Sequence, residues 1–218
     1  MREAYHEQLD ALFDDLAAIS VQVTKAVHDA SRALLTSDAA IAETVISDDK
    51  EIDRATEIVE DSAFLLLSLQ QPVAGDLRTL VAALRMVADL ERMGDLAVHV
   101  AKIARLRVPS TAVPQDAEPT IRRMAMVAEL MVGKAADVIA ERDIAGAAEL
   151  ARADEEMDHL RRSSFRELLG SNWQHGIEPA IDITLLGRYY ERISDHAVSV
   201  ANRVVYVVTG EAPVSTDA

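Results

Sequence analysis

Apolar residues recur at steps of three and four along most of this chain, which is the spacing of one face of an α-helix. No segment shows a convincing alternation of apolar and polar residues, the pattern typical of a β-strand. The sequence therefore predicts an all-α fold. Its six helices are expected at about residues 3–35, 38–69, 72–107, 120–142, 143–169 and 180–209.

Aspartates and prolines set the expected ends of these helices. Asp38 and Asp143 each precede a helical stretch, where an aspartate accepts hydrogen bonds from the free N–H groups of the first turn. Pro72 suits the first turn of the third helix, where its missing N–H is not needed. Three prolines mark Val108–Pro119 as a linker, and Gly170–Pro179 is predicted to be a loop.

The two halves of the sequence match each other. Asp49 corresponds to Asp154, 105 positions further on, and Glu91 corresponds to Glu191, 100 positions further on. The economical interpretation is two tandem, pseudo-symmetric three-helix bundles. We expect them to pack side by side about a pseudo-two-fold axis, which would bring equivalent helices and equivalent carboxylates close together. The predicted boundaries are 1–108 for the first repeat, 109–119 for the linker, 120–210 for the second repeat and 211–218 for a disordered tail.

Composition narrows the possible functions. Half of the residues are hydrophobic, and the chain has no cysteine, so disulfides and thiolate metal sites are excluded. This fits a cytoplasmic protein. No run of about 18 apolar residues occurs, so no direct membrane insertion is expected. The net charge of -15 repels phosphate backbones, and nucleic acid is therefore not an expected partner.

Pairs of acidic residues four positions apart are the main candidate chemistry. Such residues share one helix face and repel each other by roughly 0.2–0.5 kcal/mol, an effect that a bound cation reverses. Oxygen ligands suit hard cations such as Mg²⁺, Mn²⁺, Ca²⁺ or oxidised iron, and suit zinc or copper less well. The candidate metal ligands are Asp49, Asp53, Glu91, Asp95, Asp154, Asp158, Glu191 and Asp195.

The competing interpretation is a solvated helix face, because 37 acidic residues in 218 produce many such pairs by chance. Two observations favour cation binding. All four pairs recur at matched positions of the repeat, and one pair interrupts an apolar line, where a charge needs a partner. That line, in the third helix, consists of Leu77, Leu80, Leu84, Val87, Glu91, Asp95 and Val98.

Neighbouring residues could assist the carboxylates. Arg92 and Arg192 follow the two glutamates and are expected to balance charge, with a phosphate or partner contact as the alternative. His99, one turn beyond the acidic pair of the third helix, and His196, next to that of the sixth, are at best auxiliary ligands. Gly94 in mid-helix indicates a close approach of a second helix, since glycine there costs about 1 kcal/mol relative to alanine.

Three segments carry a resemblance to a known family. Leu90–Asp95 and Tyr190–Ala197 resemble the paired Leu-Glu-Arg-Ile-Gly-Asp signature of PhoU proteins, and Gln71–Arg78 resembles the segment before that family's third helix. The similarity covers nearly the whole chain, with Ser194 and Ser199 as departures. It implies a six-helix fold of two three-helix bundles, often dimeric, whose acidic motifs bind metal clusters, commonly iron or zinc. Carried over to this chain, it implies the eight carboxylates given above as ligands.

The resemblance also implies a regulatory function. PhoU proteins couple the ATPase subunit of the phosphate ABC transporter to a phosphate sensor histidine kinase, and they repress the phosphate-starvation response when phosphate is plentiful. The expectation is a cytoplasmic, homodimeric regulator that is not an enzyme. Two alternatives stay open, a metal-dependent phosphoester hydrolase and a metal-free structural adaptor. An oxidase is disfavoured, because the Glu-x-x-His spacing of Glu156 and His159 has no repeat partner.

Overall fold

The computed structural model describes residues 2–211, which form six α-helices and no β-strand. The predicted all-α fold is confirmed. No helix in this range is long and apolar enough to cross a membrane. Of the predicted tail at 211–218, all but Glu211 lies outside the described residues. The helices are α1 (Arg2–Thr36), α2 (Ala39–Gln70), α3 (Gly75–Arg107), α4 (Glu118–Glu141), α5 (Ile144–Leu169) and α6 (Ile177–Thr209).

The two predicted aspartate caps are present. The Asp38 side chain accepts hydrogen bonds from the N–H groups of Ala40 and Ile41, at 2.9 and 3.1 Å. Asp143 accepts one from the N–H of Ala145 at 2.9 Å. Each cap satisfies donors that have no acceptor inside the helix, and this fixes where α2 and α5 begin.

The predicted start of the third helix at Pro72 is wrong. The helix begins at Gly75, because Gln71 and Ala74 adopt positive φ angles of 45° and 48°, outside the right-handed helical region. The chain therefore turns sharply between α2 and α3. This turn is a four-residue connection, residues 71–74, between the two helices.

Two prolines at predicted loop positions, Pro119 and Pro179, lie inside helices. The predicted linker 109–119 is too long, because α4 begins at Glu118 and has Pro119 in its first turn. Likewise α6 begins at Ile177, so Pro179 belongs to that helix and not to the preceding loop. The first turn tolerates proline because its N–H groups have no partner within the helix.

Each three-helix unit packs on itself, and the two units meet through α1 against α4 and α3 against α6. In the described part of the chain, α2 and α5 contact only helices of their own unit. The two helices of each pair run antiparallel, because residues near the start of one helix contact residues near the end of the other. The contacts are Asp10–Arg142 and His28–Glu129 between α1 and α4, and Arg78–Val207 and Arg107–Asp182 between α3 and α6.

One continuous apolar core runs through both units. Leu16 of α1, Met86 of α3, Met131 of α4 and Tyr190 of α6 are all fully buried in it. The hydroxyl of Tyr190 is satisfied by Ser31, at 3.0 Å. Because the helices between the units are covered on both sides, neither unit has a complete core of its own.

A buried polar network lies within the α3/α6 contact. Asp89 is only 9% exposed, and its carboxylate accepts hydrogen bonds from His196 at 2.9 Å, Ser199 at 3.1 Å and Arg203 at 3.0 Å. Burial opposes the charge, but these donors outweigh it and lower the pKa of Asp89. The network therefore joins the two units through an ionised carboxylate.

Candidate functional site: two carboxylate groups

Helices α2 and α3 bring four of the predicted ligands together. Asp49 and Asp53 lie one turn apart on α2, and Glu91 and Asp95 lie one turn apart on α3. The two helices pack against each other, and the charges of the other three carboxylates all act on Asp49. These four residues are called the first carboxylate group.

Burial and, after it, neighbouring negative charges shift the pKa values of two residues in this group. Burial, followed by the charges of Asp53 and Asp95, raises the pKa of Asp49 from 3.8 to about 6. Burial and then the charge of Asp95 also raise the pKa of Glu91. Both shifts record unfavourable ionisation, and a cation placed between the carboxylates would relieve it.

Few cations of the chain compensate the first carboxylate group. Arg92 pairs with Asp95 at 3.0 Å, which agrees with the predicted charge-balancing role, but its side chain is 63% exposed. The charge of Lys102 acts on Asp49 from further away. Within residues 2–211, no ion pair is formed by Asp49, Asp53 or Glu91. An opening of about 310 Å³ between α1 and α2 reaches Asp49.

Helices α5 and α6 repeat the arrangement. Asp154 and Asp158 of α5 and Glu191 and Asp195 of α6 form the second carboxylate group. Burial, followed by the charges of Asp195, Asp158 and Glu191, raises the pKa of Asp154 to about 6. Burial and then the charge of Glu191 raise the pKa of Asp195 as well.

The second carboxylate group differs from the first in its counter-charges. Arg161 of α5 donates to Oε1 of Glu191, and Arg188 of α6 donates to Oε2. Arg162 lies 3.7 Å from Asp158 in a more exposed pair. Neither Arg161 nor Arg188 was predicted from the sequence to contact the carboxylates. Arg188 lies three residues before Glu191, one helical turn, and that spacing is the signal that could have revealed it.

The two candidate histidines point away from the carboxylates they were expected to assist. His99 stacks on Tyr189, with ring centroids 5.2 Å apart, and so faces α6 instead of α2. The Nδ1 atom of His196 is engaged by Asp89, although its charge still acts on Asp195. Arg192 is exposed and forms no ion pair in the described part of the chain.

The two groups are separate sites. Because α2 and α5 do not contact each other, the expectation that equivalent carboxylates come close together does not hold for the aspartates of these two helices. Each group is built from one repeat alone. The pseudo-symmetry brings α3 beside α6, but each of these helices directs its acidic pair towards the outer helix of its own unit.

The donor chemistry of the first carboxylate group fits a hard cation. All four donors are carboxylates, and three of them lack a competing ion pair. Side chains must still move to close around an ion, since no three His, Asp or Glu residues among those described form a ready metal-binding set. The second group fits a cation less well, because two positively charged guanidiniums already pair with Glu191 and would repel a metal ion.

The fold and the carboxylate groups define a class of protein: duplicated three-helix bundles with an acidic motif at matched positions of each repeat. A family model described as "PhoU domain" matches the chain twice, over residues 6–104 and 121–204. The chain therefore belongs to the PhoU family.

Relatives and solved structures agree with this assignment. The phosphate-specific transport system accessory protein PhoU homolog 2 of Mycobacterium tuberculosis is 46% identical to this chain. The alignment covers 98% of this chain and all of the relative. A phosphate-specific transport system accessory protein PhoU homolog of Rhizobium meliloti is 33% identical, and the alignment covers 96% of this chain and 89% of the relative. The crystal structure of PhoU from Pseudomonas aeruginosa superposes with a TM-score of 0.88 at 30% identity, over 95% of this chain and all of the other.

Proposed function

We propose that this chain is a regulatory accessory protein of a phosphate-specific transport system. The observation that carries the proposal is the pair of PhoU domains spanning the chain, together with relatives that are named as accessory proteins of that system. The role is regulatory, not catalytic. It places the chain on the cytoplasmic side of the membrane, as a homodimer that contacts the transporter's ATPase subunit and a phosphate sensor histidine kinase.

The regulatory role uses the first carboxylate group as a cation site. Iron, manganese, magnesium or zinc held by Asp49, Asp53, Glu91 and Asp95 would neutralise crowded charges and draw α2 towards α3. The corresponding residues of the second group, Asp154, Asp158, Glu191 and Asp195, fit a cation less well, because Arg161 and Arg188 already pair with Glu191. Since α2 is an outer helix, a change in its position alters the surface that a partner reads.

A complementation experiment tests this function. In a strain that lacks this chain, a phosphate-starvation promoter should be active in phosphate-rich medium, and the wild-type chain should silence it. The variant Asp49→Asn/Asp53→Asn should leave the promoter active. Glu57→Gln/Asp61→Asn is the matched control, since it changes two exposed acids of the same helix by the same charge.

Direct binding separates the two halves of the proposal. The purified chain should bind the ATPase subunit and the cytoplasmic part of the kinase, and the Asp49→Asn/Asp53→Asn variant should bind more weakly. Silencing by this variant at the wild-type level would remove the cation part of the proposal. Failure of the wild-type chain to silence the promoter would remove the regulatory part.

A further inference from the structure

Glu191 of the second carboxylate group is held by two arginines of the same unit. Its side chain is only 7% exposed, and its two oxygens each accept a hydrogen bond from a different guanidinium, Arg161 on one side and Arg188 on the other. Ionised pairs of this kind are among the stronger hydrogen bonds in proteins. Each oxygen keeps a further lone pair, but the two guanidinium charges already neutralise Glu191 and would repel an incoming metal cation.

The first carboxylate group has no such arginines. The position that matches Arg161 is Thr56, whose hydroxyl donates to the backbone carbonyl of Asp53. The position that matches Arg188 is Ala88, which carries no charge. Glu91, the counterpart of Glu191, has no ion pair among residues 2–211. The two groups thus share their carboxylates and differ in their counter-ions.

We infer that Arg161 and Arg188 are built-in counter-ions that take the place of a metal in the second carboxylate group, so that cation binding falls to the first group alone. This inference rests on the proposed cation sites and specifies which of the two is used. It makes the two repeats unequal in function despite their shared fold.

The physical basis is competition for a buried carboxylate. A cation that takes Glu191 as a ligand must compete with both guanidinium pairs, and Glu191 is buried, so those pairs are only partly screened by water. Arg161 is further held by stacking on Phe165, 5.5 Å from the ring centre. In the first group an entering cation displaces only Arg92, which is exposed and pairs with a single oxygen of Asp95.

Titration of the metal-free chain with Mn²⁺ tests the inference, with free Mn²⁺ followed by electron paramagnetic resonance. Asp49→Asn/Asp95→Asn should weaken binding at least about tenfold, as loss of metal-site groups commonly does. Asp154→Asn/Asp195→Asn should leave affinity and stoichiometry within about twofold of wild type. Both variants relieve charge repulsion, so both are expected to fold, which circular dichroism checks.

Removal of the arginines supplies the complementary test. Arg161→Gln/Arg188→Gln should add a second class of Mn²⁺ sites that the wild type lacks. Its matched control is Arg166→Gln/Arg192→Gln, which removes one arginine from each of the same two helices without touching Glu191. The control should keep the wild-type stoichiometry.

The possible outcomes distinguish the inference from the proposed function. Equal losses in the two carboxylate variants, or no gain over the control on removing the arginines, would overturn the inference and leave the cation proposal standing. If the wild type binds no Mn²⁺ while Arg161→Gln/Arg188→Gln does, the arginines act as inferred and the first group is not the site. If neither binds Mn²⁺, both ideas are overturned.

Discussion

Arg203 of α6 donates from Nε to Oδ2 of Asp89 of α3, at 3.0 Å, across the contact between the two repeats. The side chains of Arg203 and Asp89 are 27% and 12% exposed, so water screens the pair only partly. Asp89 also accepts hydrogen bonds from His196 and Ser199, so three donors of one repeat bind one carboxylate of the other. This network fixes how the repeats are aligned as well as holding them together.

Asp89→Ala is expected to destabilise the protein by roughly 3 kcal/mol, because it leaves the Arg203 charge and two further donors without an acceptor in a buried contact. Urea denaturation followed by circular dichroism measures the change. Ser199→Ala removes one donor from the same network and should cost only about 1 kcal/mol. Equal effects of the two substitutions would show that the carboxylate is not the centre of the network.

Arg107→Ala should be comparably damaging at the far end of the same contact. Arg107 donates to both oxygens of Asp182, at 2.6 and 3.1 Å, and it also pairs with Glu178. Asp182 is only 4% exposed, so the substitution would leave its charge buried without a partner. This should lower the free energy of unfolding by roughly 3 kcal/mol.

A double substitution that also removes the unpaired charge of Asp182 measures how much that charge contributes to the loss. Arg107→Ala/Asp182→Asn should recover part of the lost stability, as measured by thermal unfolding. Arg107→Lys should not restore it fully, because a lysine cannot reproduce the two-pronged contact. A double variant less stable than Arg107→Ala would contradict this account.

The sequence predicted the helices and the acidic pairs within them because both depend on short-range patterns. Helix starts follow from Asp38 and Asp143, and acidic pairs four residues apart must share a face wherever the helix lies. Asp89 was not recognised, because its partners lie 107 or more residues away. They meet it only when α3 and α6 align, and pattern reading does not give that register.

The prediction for Gly94 shows a second limit of sequence reasoning. A close helix approach was expected there, and α2 does face it, with Ile52 and Asp49 nearest. An added Cβ would nevertheless lie 3.4 Å from Ile52 and 3.6 Å from Asp49 Oδ1, which are ordinary contact distances. The matching residue, Ser194, already carries a Cβ. Gly94 is therefore not required by lack of space for a methyl group.

Gly94→Ala and Gly146→Ala should have opposite effects on stability. Gly94→Ala should stabilise the chain by about 0.5–1 kcal/mol through helix propensity. At Gly146 an added Cβ would lie 2.6 Å from Asp143 Oδ2 and 3.0 Å from Val138, so it would disturb the cap of α5. We expect Gly146→Ala to cost about 1 kcal/mol, the usual value of a lost cap. Denaturant titrations of both variants test the pair, and a stabilising Gly146→Ala would contradict it.

The raised pKa of Asp49 predicts how stability depends on pH in metal-free buffer. The folded chain holds this proton up to about pH 6, whereas the unfolded chain releases it near pH 3.8. Between these values the folded state binds more protons, so this group makes stability fall as pH rises from about 4 to 6. Asp154 acts in the same direction, while the lowered pKa of Asp89 removes stability only on further acidification.

Asp49→Asn should therefore flatten the decline between pH 4 and 6 and raise the free energy of unfolding at pH 7. The gain should be roughly 1 kcal/mol, reduced from the full pKa shift because water screens a half-buried group. The measurement is urea denaturation with chelator at several pH values, with Glu57→Gln as an exposed control on α2. If Asp49→Asn followed the wild-type curve in parallel, Asp49 would not ionise in that window, and the crowding assigned to the first carboxylate group would be absent. Repeating the series with Mn²⁺ should reverse the order at pH 7, because a cation that binds the folded chain stabilises the wild type and not the variant.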